Sequence, residues 1–280
     1  MARTRSIRGT AREGLALFTP PIIHRIARKV RDPRAVGEWE FVGGVWPSEG
    51  TLRGWNVDSI VAKQRSVWPD LASAASGTGP LTEGGLVPHN TLMSWAYALG
   101  RAASGRQTLT FLDWGGGLGQ YGLLARALYP SLAIDYFCRD LPLMAEAGRA
   151  LLPDATFYET DEQAFARGYD FVMASSSLQY VPDWQKTFAG LATSTQGFLF
   201  VTRQPFVDRA ASFVVVQRPA MHGYDTEYPG WTLNKGEFLT VAADLGLGLV
   251  REFITGEQPV VPKAPEQPVY RGFLFERLAS

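Results

Sequence analysis

Cysteine and histidine are scarce in this chain. Cys138 is the single thiol, and His24, His89 and His222 are the only imidazoles among 280 residues. One cysteine excludes an intrachain disulfide and a thiolate-built zinc site, and three scattered histidines argue against a histidine-rich metal centre, so no metal is expected. Lone-cysteine usage also suits a reducing compartment. Long apolar runs are missing as well, since none reaches the roughly 18–20 residues that span a bilayer. The first residues lack the compact apolar stretch and cleavage pattern of a secretory signal, which makes the cytoplasm the expected location. Net charge is absent too. The 27 Lys and Arg offset 27 Asp and Glu, which excludes a protein whose whole surface is a nucleic-acid footprint.

That neutrality is uneven along the chain. Between Met1 and Arg34 nine basic residues face only Glu13 and Asp32. Thr19-Pro20-Pro21 reads as a helix start, with Thr19 as cap and proline tolerated in the first turn. Ile22, Ile23, Ile26 and Val30 recur at three- and four-residue spacing, which predicts an amphipathic basic helix ending before Pro33. Such a helix either packs on the main body with its arginines in water, or uses residues 1–34 to contact a partner protein or the inner face of a membrane.

What is present is ordinary globular material, with 46% hydrophobic and 19% charged residues, enough for one large domain with an N-terminal appendage. Residues 1–36 form the tail and basic helix. Residues 37–104 form a helical and irregular lobe, with helices near 57–67 and 89–103. From residue 105 onward strand and helix signals alternate: strands at 108–113, 132–138, 155–159, 169–174 and 197–202, with helices at 119–128, 142–152 and 183–192 between them. Alternation of this kind predicts parallel strands joined by right-handed crossovers and covered on both faces. A helix at 235–244 precedes two strands, 248–254 and 269–277, close enough to pair antiparallel at the sheet edge.

The strongest signal joins the first of these strands to its helix: Asp113-Trp114-Gly115-Gly116-Gly117-Leu118-Gly119-Gln120-Tyr121-Gly122. In an open α/β sheet, ligands bind beyond the carboxyl ends of the strands, and the first turn needs glycine where a ligand approaches bare backbone. Gly117 to Gly122 also satisfies the dinucleotide pattern G-x-G-x-x-G, so an NAD-linked oxidoreductase is a competing reading. Asp113 weighs against it, because a carboxylate at the strand tip suits an ammonium better than a pyrophosphate.

An acid followed by G-x-G-x-G, here Asp113, Gly115, Gly117 and Gly119, resembles the first motif of class I S-adenosylmethionine-dependent methyltransferases. The resemblance implies a doubly wound, Rossmann-like, mostly parallel seven-stranded α/β sheet with an antiparallel last strand, carrying an N-terminal helical and irregular extension. It implies S-adenosylmethionine as cofactor, held by Asp113 and by Gly115, Gly116, Gly117 and Gly119. It further implies that Asp140, with Leu141, receives the ribose hydroxyls after the second strand. Asp161 would touch the adenine amine after the third, and Ser175 and Ser176 would follow the fourth. Asp140 and Asp161 could instead cap the helices that follow them, and Asp113 could be tied up by neighbouring donors.

The wider text is similar to a bacterial methyltransferase subgroup found among surface-polysaccharide genes. Its marks here are Ser175-Ser176-Ser177-Leu178-Gln179-Tyr180, Thr202-Arg203-Gln204-Pro205-Phe206 and Tyr228-Pro229-Gly230-Trp231. That similarity implies a small-molecule acceptor, a sugar or glycan-precursor hydroxyl. The Arg and aromatic residues within 204–231 suit a polar, hydroxyl-rich or anionic acceptor, with aromatics stacking on sugar faces and Arg clamping phosphate or carboxylate, and the charge balance argues against nucleic acid. Residues 204–231 read as an insertion covering the pocket. An oxygen acceptor must lose a proton, and histidine is the first choice of base near neutral pH. His222 is therefore the candidate base, with Arg203, Tyr180 and Tyr224 positioning the acceptor. Equally, His222 could be a solvated loop residue and Arg203 a structural ion pair. A silent α/β module tethered through the basic helix is the remaining alternative.

Overall fold

The computed structural model describes residues 38–82 and 85–279. The basic tail and the amphipathic helix expected at 19–33 lie outside the described residues.

In chain order the elements are β1 (Trp39–Gly43), α1 (Asp58–Ser76), α2 (Leu86–Ala103), β2 (Thr108–Trp114), α3 (Gln120–Leu128), β3 (Ala133–Arg139), α4 (Pro142–Leu151), β4 (Thr156–Tyr158), α5 (Asp161–Ala164) and β5 (Tyr169–Ser175). They continue with α6 (Trp184–Ser194), β6 (Thr195–Val207), β7 (Phe213–Gln217), β8 (Tyr228–Asn234), α7 (Lys235–Asp244), β9 (Leu247–Ile254) and β10 (Val269–Arg277). Short 3-10 turns cover Leu178–Tyr180 and Ala220–His222.

Seven of these strands make the main sheet, in the order β4-β3-β2-β5-β6-β10-β9. β2, β3, β4, β5 and β6 run parallel, and β10 is antiparallel to both β6 and β9. This is the doubly wound arrangement expected, with the antiparallel strand slotted between β6 and the edge strand β9. Sequence pattern explains the burial: β2 and β5 read as near-continuous apolar runs because helices cover both of their faces. Leu109 and Phe111 pack toward α1, α2, α3 and α4, while Leu112 and Trp114 pack toward α5, α6 and α7. Helix starts follow local chemistry. Thr160, Asp183 and Asn234 each accept a hydrogen bond from the backbone N–H three residues on, which satisfies first-turn donors.

Two features depart from the sequence reading. β1 pairs antiparallel with β7, and β7 with β8, so the stretch expected to be an irregular lobe supplies an outer strand to the insertion's own small sheet. That sheet joins the main one where β8 runs parallel to the end of β6. α1 and α2 also contribute Ile60, Trp68, Trp95 and Leu99 to the core that holds β2 and β3. The lobe is therefore continuous with the main body. Secondly, β6 runs through Pro205 to Val207, and only the residues after it form the insertion. Its pairing with β10 slips between Arg271 and Phe273, which marks a bulge in β6 at Thr202 and Arg203.

Candidate functional site

The carboxyl tips of β2, β3, β5 and β6 open into one cavity of about 1130 Å³, counted with its mouth. Trp55 and Gln64 close it from the N-terminal side, and Gln217, Tyr224 and Tyr228 close it from the insertion. It lies at the switch point of the sheet, where β2 sits between β3 and β5.

Its floor is bare backbone. Gly115, Gly117 and Gly119 take φ of +72°, +61° and +90°, a region that side chains disfavour. A Cβ on Gly115 would lie 2.3 Å from Ser177 Cβ, and one on Gly117 would lie 2.7 Å from Gln64 Oε1. Gly116 is pinned from below, where a Cβ would meet Asp113 Oδ2 at 2.6 Å and Cys138 Sγ at 2.8 Å.

Asp113 lies beneath the cavity rather than in its wall. It is fully buried and is not part of the cavity lining. Its carboxylate lies beneath the glycine loop, where Oδ2 accepts from the Tyr136 hydroxyl at 2.7 Å and Oδ1 has no partner. Alternation along β2 explains this placement: Leu112 and Trp114 face the α6 side, so Asp113 faces the opposite layer and is roofed by Gly116. Burial pushes its carboxyl up to about 7, with the Tyr136 hydrogen bond opposing and the nearby Asp140 charge adding.

Asp140 does line the cavity. Oδ2 accepts from Gly117 N and Oδ1 from Leu141 N, both at 2.7 Å. It is not a helix cap, since Leu141 caps α4 without any side-chain bond. Two backbone donors occupy only half of what a carboxylate can accept, leaving lone pairs on both oxygens. Burial pushes its carboxyl up to about 6, opposed by those two backbone bonds and by the Arg139 charge. Leu141 lines the wall beside it, together with Met144.

Asp161 stands one layer back. Its Oδ1 accepts from Trp114 Nε1 at 2.8 Å and pairs with Arg139 Nε at 2.6 Å. The Arg139 guanidinium in turn lies 5.1 Å from the Trp114 ring centroid. Trp114 and Arg139 form cavity wall, and Asp161 fastens them without lining it. Ser175 and Ser176 do line the cavity, at the tip of β5. Ser175 Oγ is 3.2 Å from the Tyr121 hydroxyl, and Ser176 Oγ accepts from Gln179 Nε2.

At the far end sit Arg203, Tyr180 and Tyr224, all in the lining. Arg203 occupies the bulge of β6 with φ of +53°, and Ser176, just past the end of β5 with its N–H bonded to Thr202 O, has the same φ. Strained backbone at two adjacent strand tips is a feature of functional sites. Arg203 Nε donates to Glu257 Oε1 at 3.2 Å. Tyr180 donates to Gln217 Oε1 and packs against Trp55, their ring centroids 4.8 Å apart. Burial pushes the Tyr180 phenol up to about 12 and raises that of Tyr224. His222 is elsewhere. It is outside the lining, with Nε2 3.7 Å from Glu38 Oε1. The insertion does cover the cavity, but through Gln217, Tyr224 and Tyr228.

Several lining residues carry no sequence motif: Trp55, Gln64 and Gln217. Trp55 and Tyr228 stack with centroids 4.2 Å apart. Gln64 Oε1 and Gln120 Oε1 are buried without a hydrogen-bond partner next to Gly117. Among the described residues no group of three or more His, Cys, Asp and Glu is placed to hold a metal. Nor is any helix there long and apolar enough to cross a membrane.

No protein-family model matches the chain, and no curated protein matches it. Solved structures do. A provisional sarcosine dimethylglycine methyltransferase from Galdieria sulphuraria is 16% identical with a TM-score of 0.51, covering 79% of this chain and 99% of its own. Magnesium protoporphyrin IX methyltransferase from Synechocystis PCC 6803, solved with S-adenosylmethionine, is 14% identical with a TM-score of 0.46, covering 80% and 99%. An O-methyltransferase family protein from Burkholderia thailandensis is 19% identical with a TM-score of 0.45, covering 79% and 71%. At such identities the likeness is one of fold, and the fold is the Rossmann-like one of class I methyltransferases.

Proposed function

We propose that this cavity binds S-adenosylmethionine and passes its methyl group to a small polar acceptor at the aromatic end. The observation carrying the proposal is Asp140, a buried carboxylate at the tip of the strand beside the glycine loop, with lone pairs left over after two backbone bonds. A ribose diol supplies two hydroxyl donors at the spacing of one carboxylate. Leu141 and Met144 give an apolar wall for the adenine face, and the glycine floor admits the amino-acid tail. The tail's ammonium finds acceptors in Gln64 Oε1 and Gln120 Oε1, both without a donor in the protein. That assignment replaces Asp113, which fills the space beneath Gly116. A dinucleotide pyrophosphate fits less well, since the Asp140 carboxylate already occupies the Gly117 N–H that a phosphate would need.

When bound, S-adenosylmethionine supplies an electrophilic methyl on a sulfonium, displaced in line by the acceptor. The chain's part is alignment and exclusion of water. Trp55 and Tyr180, backed by the buried Tyr228 ring, give the aromatic end the flat lining that suits a sugar ring or another planar acceptor. A sugar or glycan-precursor hydroxyl, the acceptor expected from sequence, would have to lose a proton there. Among the described lining residues no histidine is available, and burial keeps Tyr180 and Tyr224 protonated.

Calorimetry of the full chain with S-adenosylmethionine, S-adenosylhomocysteine and NAD tests the reading. We expect the first two to bind and NAD not to. Asp140→Ala should weaken S-adenosylhomocysteine by about tenfold or more, the scale of one hydrogen bond to a charged group. Binding of NAD alone would overturn the proposal. Cofactor binding without turnover on any acceptor would favour the silent module.

A further inference from the structure

The charge inventory of the cavity is short. Arg139, Asp140 and Arg203 are the only charged residues among those described in its lining. Arg139 is paired with Asp161, and Asp140 is bound to the glycine loop at the cofactor end. The aromatic end therefore holds a single charged group, Arg203, and it is a cation. Glu257, itself 2% exposed, engages only Nε of that guanidinium. The two terminal nitrogens have no protein acceptor among the described residues. The left-handed bulge at Arg203 turns this side chain out of the β6 ladder and into the cavity. Tyr121, Tyr180 and Tyr224 lie near enough that the guanidinium charge opposes the rise of their phenol pKa values.

An arginine fork with both terminal nitrogens unused fits a planar carboxylate in bidentate fashion. Glu257 already offsets the guanidinium charge, so a bound monoanion leaves the site at one net negative charge and a phosphate dianion at two; the monoanion is the less costly guest, held by the geometry of the fork. The wall of Trp55, Tyr180 and Tyr228, with ring centroids 4.2 to 5.1 Å apart, suits a flat, apolar body attached to that carboxylate. We propose that the acceptor is a small monocarboxylate with a planar apolar body, its carboxylate held on the terminal nitrogens of Arg203 and its body packed against the Trp55, Tyr180 and Tyr228 rings. This rests on the methyl-transfer reading for the adjoining cofactor. The acceptor end, however, can be probed separately.

Ligand-observed NMR titration of the full chain saturated with S-adenosylhomocysteine supplies the test, using benzoate, its uncharged isostere benzamide and the dianion phenyl phosphate. Benzoate should bind about tenfold or more tightly than either, the worth of a charge-assisted pair. The double substitution Arg203→Gln with Glu257→Gln removes the cation without stranding a buried carboxylate. It should erase the benzoate preference while leaving S-adenosylhomocysteine affinity within about threefold. Trp55→Ala should weaken benzoate and benzamide alike. If the glutamine pair fails to fold, Arg203→Lys keeps the charge, loses the fork, and should still shrink the preference severalfold. Equal binding of benzoate and benzamide would overturn the proposal, as would a preference that survives the substitutions. So would a tenfold loss of S-adenosylhomocysteine affinity in the variant, which would assign Arg203 to the cofactor's own carboxylate. Should S-adenosylhomocysteine fail to bind the parent protein, the methyl-transfer reading falls alone, and the benzoate comparison is run on the ligand-free chain.

Discussion

Replacing Asp113 with asparagine should make the protein more stable than its parent at pH 8 and slightly less stable at pH 4. The buried carboxyl titrates near 7, against 3.8 in water. Between those values the unfolded chain has released the proton and the folded chain retains it. The folded state then binds more protons, so stability falls as pH rises through about 4 to 7 and levels off above. At 1.36 kcal/mol per pKa unit, the burden at pH 8 is ~4 kcal/mol, shrinking to under ~1 kcal/mol at pH 4. Asparagine does not titrate and so carries none of it. Its amide oxygen can still accept from the Tyr136 hydroxyl, but its NH₂ enters the space of Oδ1, which has no partner. That costs ~1–2 kcal/mol at every pH. The balance is a gain of ~2–3 kcal/mol at pH 8 and a loss of ~1 kcal/mol at pH 4.

For a chain of this length ~1 kcal/mol moves Tm by roughly 2 °C. Circular-dichroism melts of the two ligand-free proteins from pH 4 to 8 should therefore give Tm differences that change sign and span about 6 °C or more. Asp140, pushed up to about 6 by burial, contributes a slope of the same sign. Both proteins carry it, so that slope largely cancels in the difference, less the part through which the two acids repel each other. A Tm difference that stays flat across the range would refute the reasoning, because Asp113 would then ionise as readily folded as unfolded.

Other substitutions test the cavity itself. Gly115→Ala forces a Cβ to within 2.3 Å of Ser177 Cβ at φ of +72°; we expect a loss of ~1–3 kcal/mol in denaturant titrations and loss of S-adenosylhomocysteine binding by calorimetry. His222→Ala should leave turnover within about twofold of the parent, since the ring stands outside the lining; the 10²–10⁴-fold drop typical of a lost general base would restore it to the mechanism. Asp161→Asn loosens Trp114 and Arg139 together and should weaken S-adenosylhomocysteine and its inosine analogue equally. A larger loss for the adenosine form would mean that Asp161 reaches the adenine amine.

Much of the main sheet was legible because its signals are local. The helix Lys235–Asp244 and the strand Val269–Arg277 fall where their apolar spacing and flanking turns place them. The glycine loop was legible for the same reason, since each glycine answers a constraint set within a few residues. The three-stranded outer sheet was not. Trp39 pairs with Gln217 and Phe41 with Val215, and no pattern inside either segment announces a partner so distant in the chain. Pro205 hid the end of β6, because proline inside a strand argues against the assignment. Here it falls just past the bulge at Thr202 and Arg203. Gln64 escaped notice, and Gln120 drew none beyond its place in the glycine motif, because an amide has no spacing rule. What marks Gln64 and Gln120 is an unpartnered buried oxygen, a property of packing.

The placement of Asp113 shows why spacing can identify a functional loop and still misassign its parts. An acid two residues before the first glycine is needed whether it meets the ligand or supports the loop, because both jobs act at the same strand tip. Side-chain alternation decides between them. Trp114 must face the α6 layer to meet Asp161 through its indole N–H, and this commits Asp113 to the other face, under Gly116. There the carboxylate excludes a side chain from the loop above it and gathers Tyr136 beneath. Asp140 takes the loop's free N–H from the cavity side. Two carboxylates thus flank the glycine turn, Asp113 packed beneath Gly116 and Asp140 bonded to Gly117 N–H, and only the second has lone pairs toward the cavity. Such a loop is preorganised before anything binds, and that accounts for two acids with raised pKa values sitting so close in a domain whose other charges are largely paired.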